Sequence, residues 1–188
     1  MAVQVIVLNG VSSAGKSTLA RALQDALPEE WLTFGIDTLI TGMPWRMSGQ
    51  PEGLVFEDDG RVIAGPTFLA MEAQWREGIA AIARAGARII LDEVMLGGAG
   101  EQARWREVLA GLEVLWVGVT CDPAVAAERE AARPDRVPGM AASQAPVVHA
   151  GVAYDIVADT SLHSAAECAE QIAAKMWRGL KEPHTFAP

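Results

Sequence analysis

Residues 10–17 read Gly10-Val11-Ser12-Ser13-Ala14-Gly15-Lys16-Ser17, a match to the pattern G-x-x-x-x-G-K-[S/T]. The chemistry needs these residue types in this order. Glycines let the chain curl so that successive backbone N–H groups face phosphate oxygens, a lysine neutralises the β/γ charge, and a hydroxyl reaches Mg²⁺. The helix that follows adds the positive end of its dipole. At this composition the pattern arises by chance in about two chains per thousand, and an ordinary Gly/Ser turn is the competing reading. Lysine is scarce enough to sharpen the point, because Lys16 is joined only by the distant Lys175 and Lys181. Gly10, Ser12, Ser13, Ala14, Gly15, Lys16, Ser17 and Thr18 are the expected nucleotide-binding set. The dinucleotide fingerprint G-x-G-x-x-G is absent, so a nicotinamide enzyme is not indicated.

The surroundings suit a phosphate loop. Residues 3–8 form a short β-branched apolar run that reads as a buried strand. Residues 16–27 carry an apolar stripe at Leu19, Ala20, Leu23, Ala26 and Leu27, stopped by Pro28. Further along, strands are expected at 31–36, 88–91, 113–120 and 154–157. Helices are expected at 66–85, 100–109, from Asp122-Pro123 to about 132, and at 164–180, where Ser164 and Glu167 form a capping-box pattern. Strands alternating with helices predict an α/β fold, a five-stranded parallel sheet with helices on both faces. Residues 1–181 read as one domain and 182–188 as a frayed tail.

Two stretches break the rhythm. Residues 41–65 are rich in Gly, Pro and acidic residues and too long for a plain connection, so an acceptor-lining insertion is expected at about 41–68. Residues 134–151 are interrupted by Pro138 and Pro146 and read as irregular, within an arginine-bearing lid at about 129–150.

The whole-chain numbers exclude several classes. The 188 residues are 51% hydrophobic and 21% charged, with a net charge of −9 and no basic stripe, which argues against a general nucleic-acid binder. No apolar run approaches the ~18 residues of a membrane helix, and the start lacks the basic region of a secretory signal. Cys121 and Cys168 lack metal-ligand spacing and read as thiols in a reducing cytoplasm. A homo-oligomer is compatible with all of this.

In an open parallel sheet, ligands sit beyond the carboxyl ends of the strands. Asp37 follows the second expected strand, where it would orient and deprotonate a substrate hydroxyl; the competing reading is an N-cap of the next helix. Asp92 follows the third, as a Walker B acid for Mg²⁺ together with Ser17, against the reading of a solvated strand end. Glu93 is open between direct contact and support. Arg129, Arg133 and Arg136 follow the fourth strand, where guanidinium groups would close over a triphosphate, or instead pair with Glu128 and Glu130 on a solvated face. The expected acceptor wall holds Met43, Trp45, Met47, Val55, Phe56, Phe68, Met71 and Trp75, with Asp92 and Glu93 at its polar end; each apolar member also reads as plain core. Few arginines lie there, which disfavours a nucleotide monophosphate. His149 is a lone histidine and reads as a packing residue.

Residues 10–17, Phe34-Gly35-Ile36-Asp37, Ala85-Gly86-Ala87-Arg88-Ile89-Ile90, Leu96-Gly97-Gly98, Leu115-Trp116-Val117-Gly118-Val119, and Asp135-Arg136 with Gly139-Met140-Ala141 together resemble chloramphenicol phosphotransferase. The likeness runs from near the start to about Thr160. It implies a P-loop kinase fold and an ATP- and Mg²⁺-dependent enzyme that phosphorylates the primary hydroxyl of chloramphenicol, conferring resistance. It also implies that Asp37 matches the family's base and Arg136 its lid arginine, beside Lys16 and Arg133. This chain departs in having Asp92-Glu93 for paired aspartates, Val11 for a glycine, and a divergent 45–62 segment. The rival functions are a kinase of the same build acting on a nucleoside or other metabolite, and a nucleotide-binding regulatory module.

Overall fold

The computed structural model describes residues 2–133, 137–178 and 184–185. Its centre is a five-stranded sheet in the order β2-β5-β1-β6-β8, with every neighbouring pair parallel. The strands are β1 (Val5–Asn9), β2 (Trp31–Gly35), β5 (Arg88–Glu93), β6 (Val114–Thr120) and β8 (Ile156–Asp159). They are linked by α1 (Lys16–Ala26), α2 (Ile36–Gly42), α3 (Pro66–Arg84), α4 (Gly98–Val108), α5 (Pro123–Ala131) and α6 (Met140–Val148), and followed by α7 (Ala165–Arg178). Between α2 and α3 lies an antiparallel hairpin, β3 (Leu54–Phe56) with β4 (Val62–Ala64).

Period-two alternation in the strands supplies two cores at once. Ile6, Leu8, Ile90, Leu115, Val117 and Val119 face α1, α5 and α7, packing on Leu19, Leu23, Ala126 and Ile172. Val5, Val7, Ile89, Leu91 and Trp116 face α3 and α4, packing on Ile79, Ala83 and Trp105. Each fully buried Leu or Ile in these layers contributes about 1.5–3 kcal/mol over exposure. A third, smaller cluster of Leu39, Met43, Leu54 and Phe68 joins α2, the hairpin and α3.

Several expectations shift. The second strand ends at Gly35, and Ile36 already opens α2, so Asp37 stands in the first helical turn rather than at a strand end. Gly35 is required there because a Cβ would collide with the Asp92 backbone carbonyl, across which β2 pairs with β5. The stretch 134–151, read as irregular, contains α6, with Pro146 inside it. Bonds from outside the helix offset the one that Pro146 cannot make. The buried Glu130 carboxylate accepts the N–H groups of Gly139 and Ala141, and Asn9 Nδ2 donates to Val148 O. Residues 153–159 split into β7 (Ala153–Tyr154) and β8, and only β8 enters the main sheet. His184–Thr185, expected within the tail, form β9 antiparallel to β7.

Candidate active site

The loop after β1 curls as the motif predicts. Ser13 has φ 60, the one positive-φ non-glycine residue among the described residues, and Gly15 has φ 85 as N-cap of α1. Among the described residues no side chain caps that N-terminus, and the buried hydroxyls of Ser12 and Ser13 have no hydrogen-bond partner. An uncapped helix start with unpartnered donors fits phosphate oxygens, which would accept from all of them. Gly10 is required at the loop's entry because a Cβ would strike the Val119 carbonyl.

Lys16 is 6% exposed, donates from Nζ to Val11 O at 2.8 Å and lies 3.8 Å from Asp92 Oδ1. Ser17 Oγ donates to Asp92 Oδ2 at 2.6 Å. A hydroxyl and a carboxylate are hard oxygen donors of the kind that suit Mg²⁺. Glu93 projects from the other face of β5 and is buried against Glu72, Arg76 and Glu101 from α3 and α4. Burial first, and then the negative Glu101, Glu72 and Asp92, hold its carboxyl well above the usual carboxylate range. Burial raises Glu101 too, although it accepts the Gly97 N–H at 3.0 Å. The acid pair at 92–93 therefore divides: Asp92 faces the phosphate loop and Glu93 does not.

A cleft of about 550 Å³ runs from the loop toward the hairpin. Ser12, Ser13, Lys16, Ser17, Thr18 and Asp92 line one end, Asp37 and Arg133 border it, and Phe56 and Phe68 line the apolar end. Leu54 and Val62 on its walls fall within the insertion expected to line the acceptor, whereas Ile36, Ile40, Leu69, Glu72, Glu101, Met140 and Gln144 are further wall residues that sequence reasoning did not single out. Among the expected acceptor residues, Met43 is buried in the third cluster, and Trp45 is 88% exposed on a single 3-10 turn away from the cleft wall. Glu93 is likewise not a cleft residue. Arg136 lies outside the described residues.

Arg129 neither joins the cleft nor stands on a solvated face. It donates to Thr160 through Nη1 at 3.1 Å and Nη2 at 2.9 Å, and the Thr160 hydroxyl donates to Ala14 O at 2.7 Å, so it braces the loop from the end of β8. A second brace runs through Asn9, which accepts the Met95 N–H and donates to the Tyr154 hydroxyl. That leaves the phenol proton for His149 Nδ1 at 2.8 Å, an arrangement suited to a neutral imidazole. Burial, then the Lys16 charge, lowers the His149 pKa in the same direction. The hairpin meets α6 where Ser143 Oγ donates to Gly60 O at 2.9 Å.

Comparison with known proteins agrees with this geometry. A protein of Mycobacterium tuberculosis (strain H37Rv), Rv2636, described provisionally as an O-phosphotransferase, is 32% identical over 189 residues, spanning 90% of this chain and 80% of the relative. Among solved structures, a sugar kinase from Janibacter sp. HTCC2649 aligns with a TM-score of 0.64 at 19% identity, covering 93% of this chain and 94% of that one. The Mycobacterium tuberculosis APS kinase CysC aligns with a TM-score of 0.61 at 16% identity, over 94% and 98% of the two chains. Shikimate kinase from Acinetobacter baumannii aligns with a TM-score of 0.54 at 20% identity, over 95% and 96%. These likenesses show a P-loop kinase fold. The family profile for chloramphenicol phosphotransferase-like proteins matches residues 3–177, and the chain belongs to that family.

Proposed function

We propose that the protein transfers the γ-phosphoryl group of ATP to the hydroxyl of a small, largely apolar molecule, a chloramphenicol-type primary alcohol. One observation carries this reading: a single cleft holds the phosphate loop, the carboxylate of Asp37 and an apolar wall containing Phe56 and Phe68. Lys16 and the loop N–H groups bind the phosphates, while Ser17 and Asp92 hold Mg²⁺, which when bound neutralises charge on the β- and γ-oxygens. Asp37 accepts the proton of the acceptor hydroxyl as its oxygen attacks the γ-phosphorus. The bond from that phosphorus to the β–γ bridging oxygen breaks, and ADP departs. Arg133 and Arg136 close over the transferring group as part of a lid at about 129–150, within a single domain of residues 1–181. Phosphorylation of the antibiotic in the cytoplasm would confer resistance.

A nucleoside monophosphate acceptor is disfavoured because, among the described residues, the acceptor end of the cleft is lined by Ile40, Leu54, Phe56, Val62 and Phe68 rather than by arginines. A regulatory module that only hydrolyses ATP leaves Asp37, beside the apolar wall, without a task. The test is mass spectrometry of chloramphenicol incubated with enzyme and MgATP. A gain of one phosphoryl group on the drug supports the reading. An unmodified drug, with other alcohols phosphorylated in a screen, moves the assignment to another acceptor, and phosphate release with no phosphorylated alcohol favours the regulator.

A further inference from the structure

The peptide group between Val11 and Ser12 is gripped at both ends. Lys16 Nζ donates to its carbonyl oxygen at 2.8 Å, and its N–H donates to Gln144 Oε1 at 2.6 Å, although Gln144 lies 132 residues away on α6. A cation on the carbonyl polarises the peptide and strengthens the N–H as a donor, so the two bonds reinforce each other. The grip also fixes the side-chain amide, because only its oxygen can face an N–H. Nε2 is thereby committed to the other arm. Gln144 is 4% exposed and borders the cleft, and among the described residues its Nε2 has no hydrogen-bond partner. The neighbouring Ser12 hydroxyl is also buried and unpartnered.

A buried hydroxyl without a partner, such as that of Ser12, is costly unless a ligand oxygen accepts from it, and Gln144, bonded to the Ser12 N–H, lines the same cleft. The oxygens that belong at this end of the cleft are those of the nucleotide's terminal phosphate, beside the lysine that reaches the β- and γ-positions. We propose that Gln144, anchored through Oε1 on the loop, donates from Nε2 to an oxygen of the γ-phosphoryl group. It supplies a neutral donor where Lys16 and Arg133 supply charge. The inference rests on the kinase reading and adds a contact from α6, the helix that also touches the acceptor hairpin through Ser143.

Affinity for MgADP, alone and with beryllium fluoride as a γ-phosphoryl mimic, tests this by calorimetry without any acceptor. In the wild type the fluoride raises affinity by about tenfold or more, the scale of hydrogen bonds to a charged group. Gln144→Glu keeps an oxygen for the Ser12 N–H but replaces the donor with a negative atom, whereas Gln144→Leu loses both functions. The proposal expects Gln144→Glu, which keeps the loop anchor, to bind MgADP within about threefold of the wild type, and the fluoride gain of each variant is read against its own MgADP affinity. It expects Gln144→Leu to lose most of the fluoride gain and Gln144→Glu to lose more. A purely structural anchor predicts the reverse order. A fluoride gain kept by Gln144→Glu overturns the proposal, as does one kept by both variants. Wild-type protein that binds no MgADP at all removes the kinase reading, and the inference with it.

Discussion

Asp92 and Glu93 are sequence neighbours on β5 that serve opposite faces of the sheet. Asp92 accepts from Ser17 Oγ at the phosphate loop. Glu93 is 2% exposed, with Oε1 unpartnered among acids from α3 and α4. The division follows from strand alternation: Asp92 shares the face of Ile90, and Glu93 that of Leu91. One residue is thus available to the chemistry and the other is a burden on the fold.

That burden gives stability a pH dependence. The folded Glu93 carboxyl holds a proton that the unfolded chain releases in the ordinary carboxylate range. Its contribution is fully present below that range and is lost as pH rises through the elevated folded value, by up to about 1.4 kcal/mol per pH unit. Burial shifts Glu101 in the same direction. Glu93→Gln removes one titration, so urea unfolding from about pH 5 to about pH 8 should show the variant gaining on the wild type as pH rises. A constant difference across that range would contradict a raised Glu93 pKa.

The base assignment makes a kinetic prediction. Asp37→Asn retains the side-chain shape in the first turn of α2 but cannot take a proton. With the alcohol that the enzyme phosphorylates, kcat should fall by about 10²–10⁴, the usual contribution of a positioned base. MgATP affinity should stay within about threefold, because the phosphate contacts come from the loop. Turnover surviving within a few-fold would assign the proton to another acceptor.

Much of this architecture was legible because local and global signals coincide. The loop motif, its flanking apolar strand and the alternation of elements all demand one parallel sheet, and Asp37 just after β2 and Asp92 near the end of β5 fall on the loop's edge. What escaped depends on contacts between distant residues. α2 already begins at Ile36, and the need for glycine at 35 comes from the close approach of its backbone to the Asp92 carbonyl, a contact invisible in the run Phe34-Gly35-Ile36. Pro138 and Pro146 hide α6, which draws its capping from Glu130 and Asn9. Gln144 disappeared with that helix. Size and hydrophobicity, which single out Trp45 and Met43, do not distinguish a cleft wall from core or from an exposed turn.

The brace through Thr160 gives a prediction for the loop itself. Thr160 is 8% exposed, and its hydroxyl donates to Ala14 O while Arg129 Nη1 donates to it. Thr160→Val keeps the volume and removes the oxygen, leaving a loop carbonyl and an arginine N–H short of partners. Loss of these two bonds should cost about 1–3 kcal/mol in urea unfolding. The loop would then be held less firmly, so MgATP affinity should fall as well, whereas binding of the alcohol, which rests on the far wall at Phe56 and Phe68, should change little. Parallel weakening of both ligands would mean that the brace supports the whole cleft. An unchanged MgATP affinity despite lower stability would mean that the loop holds its shape without Thr160.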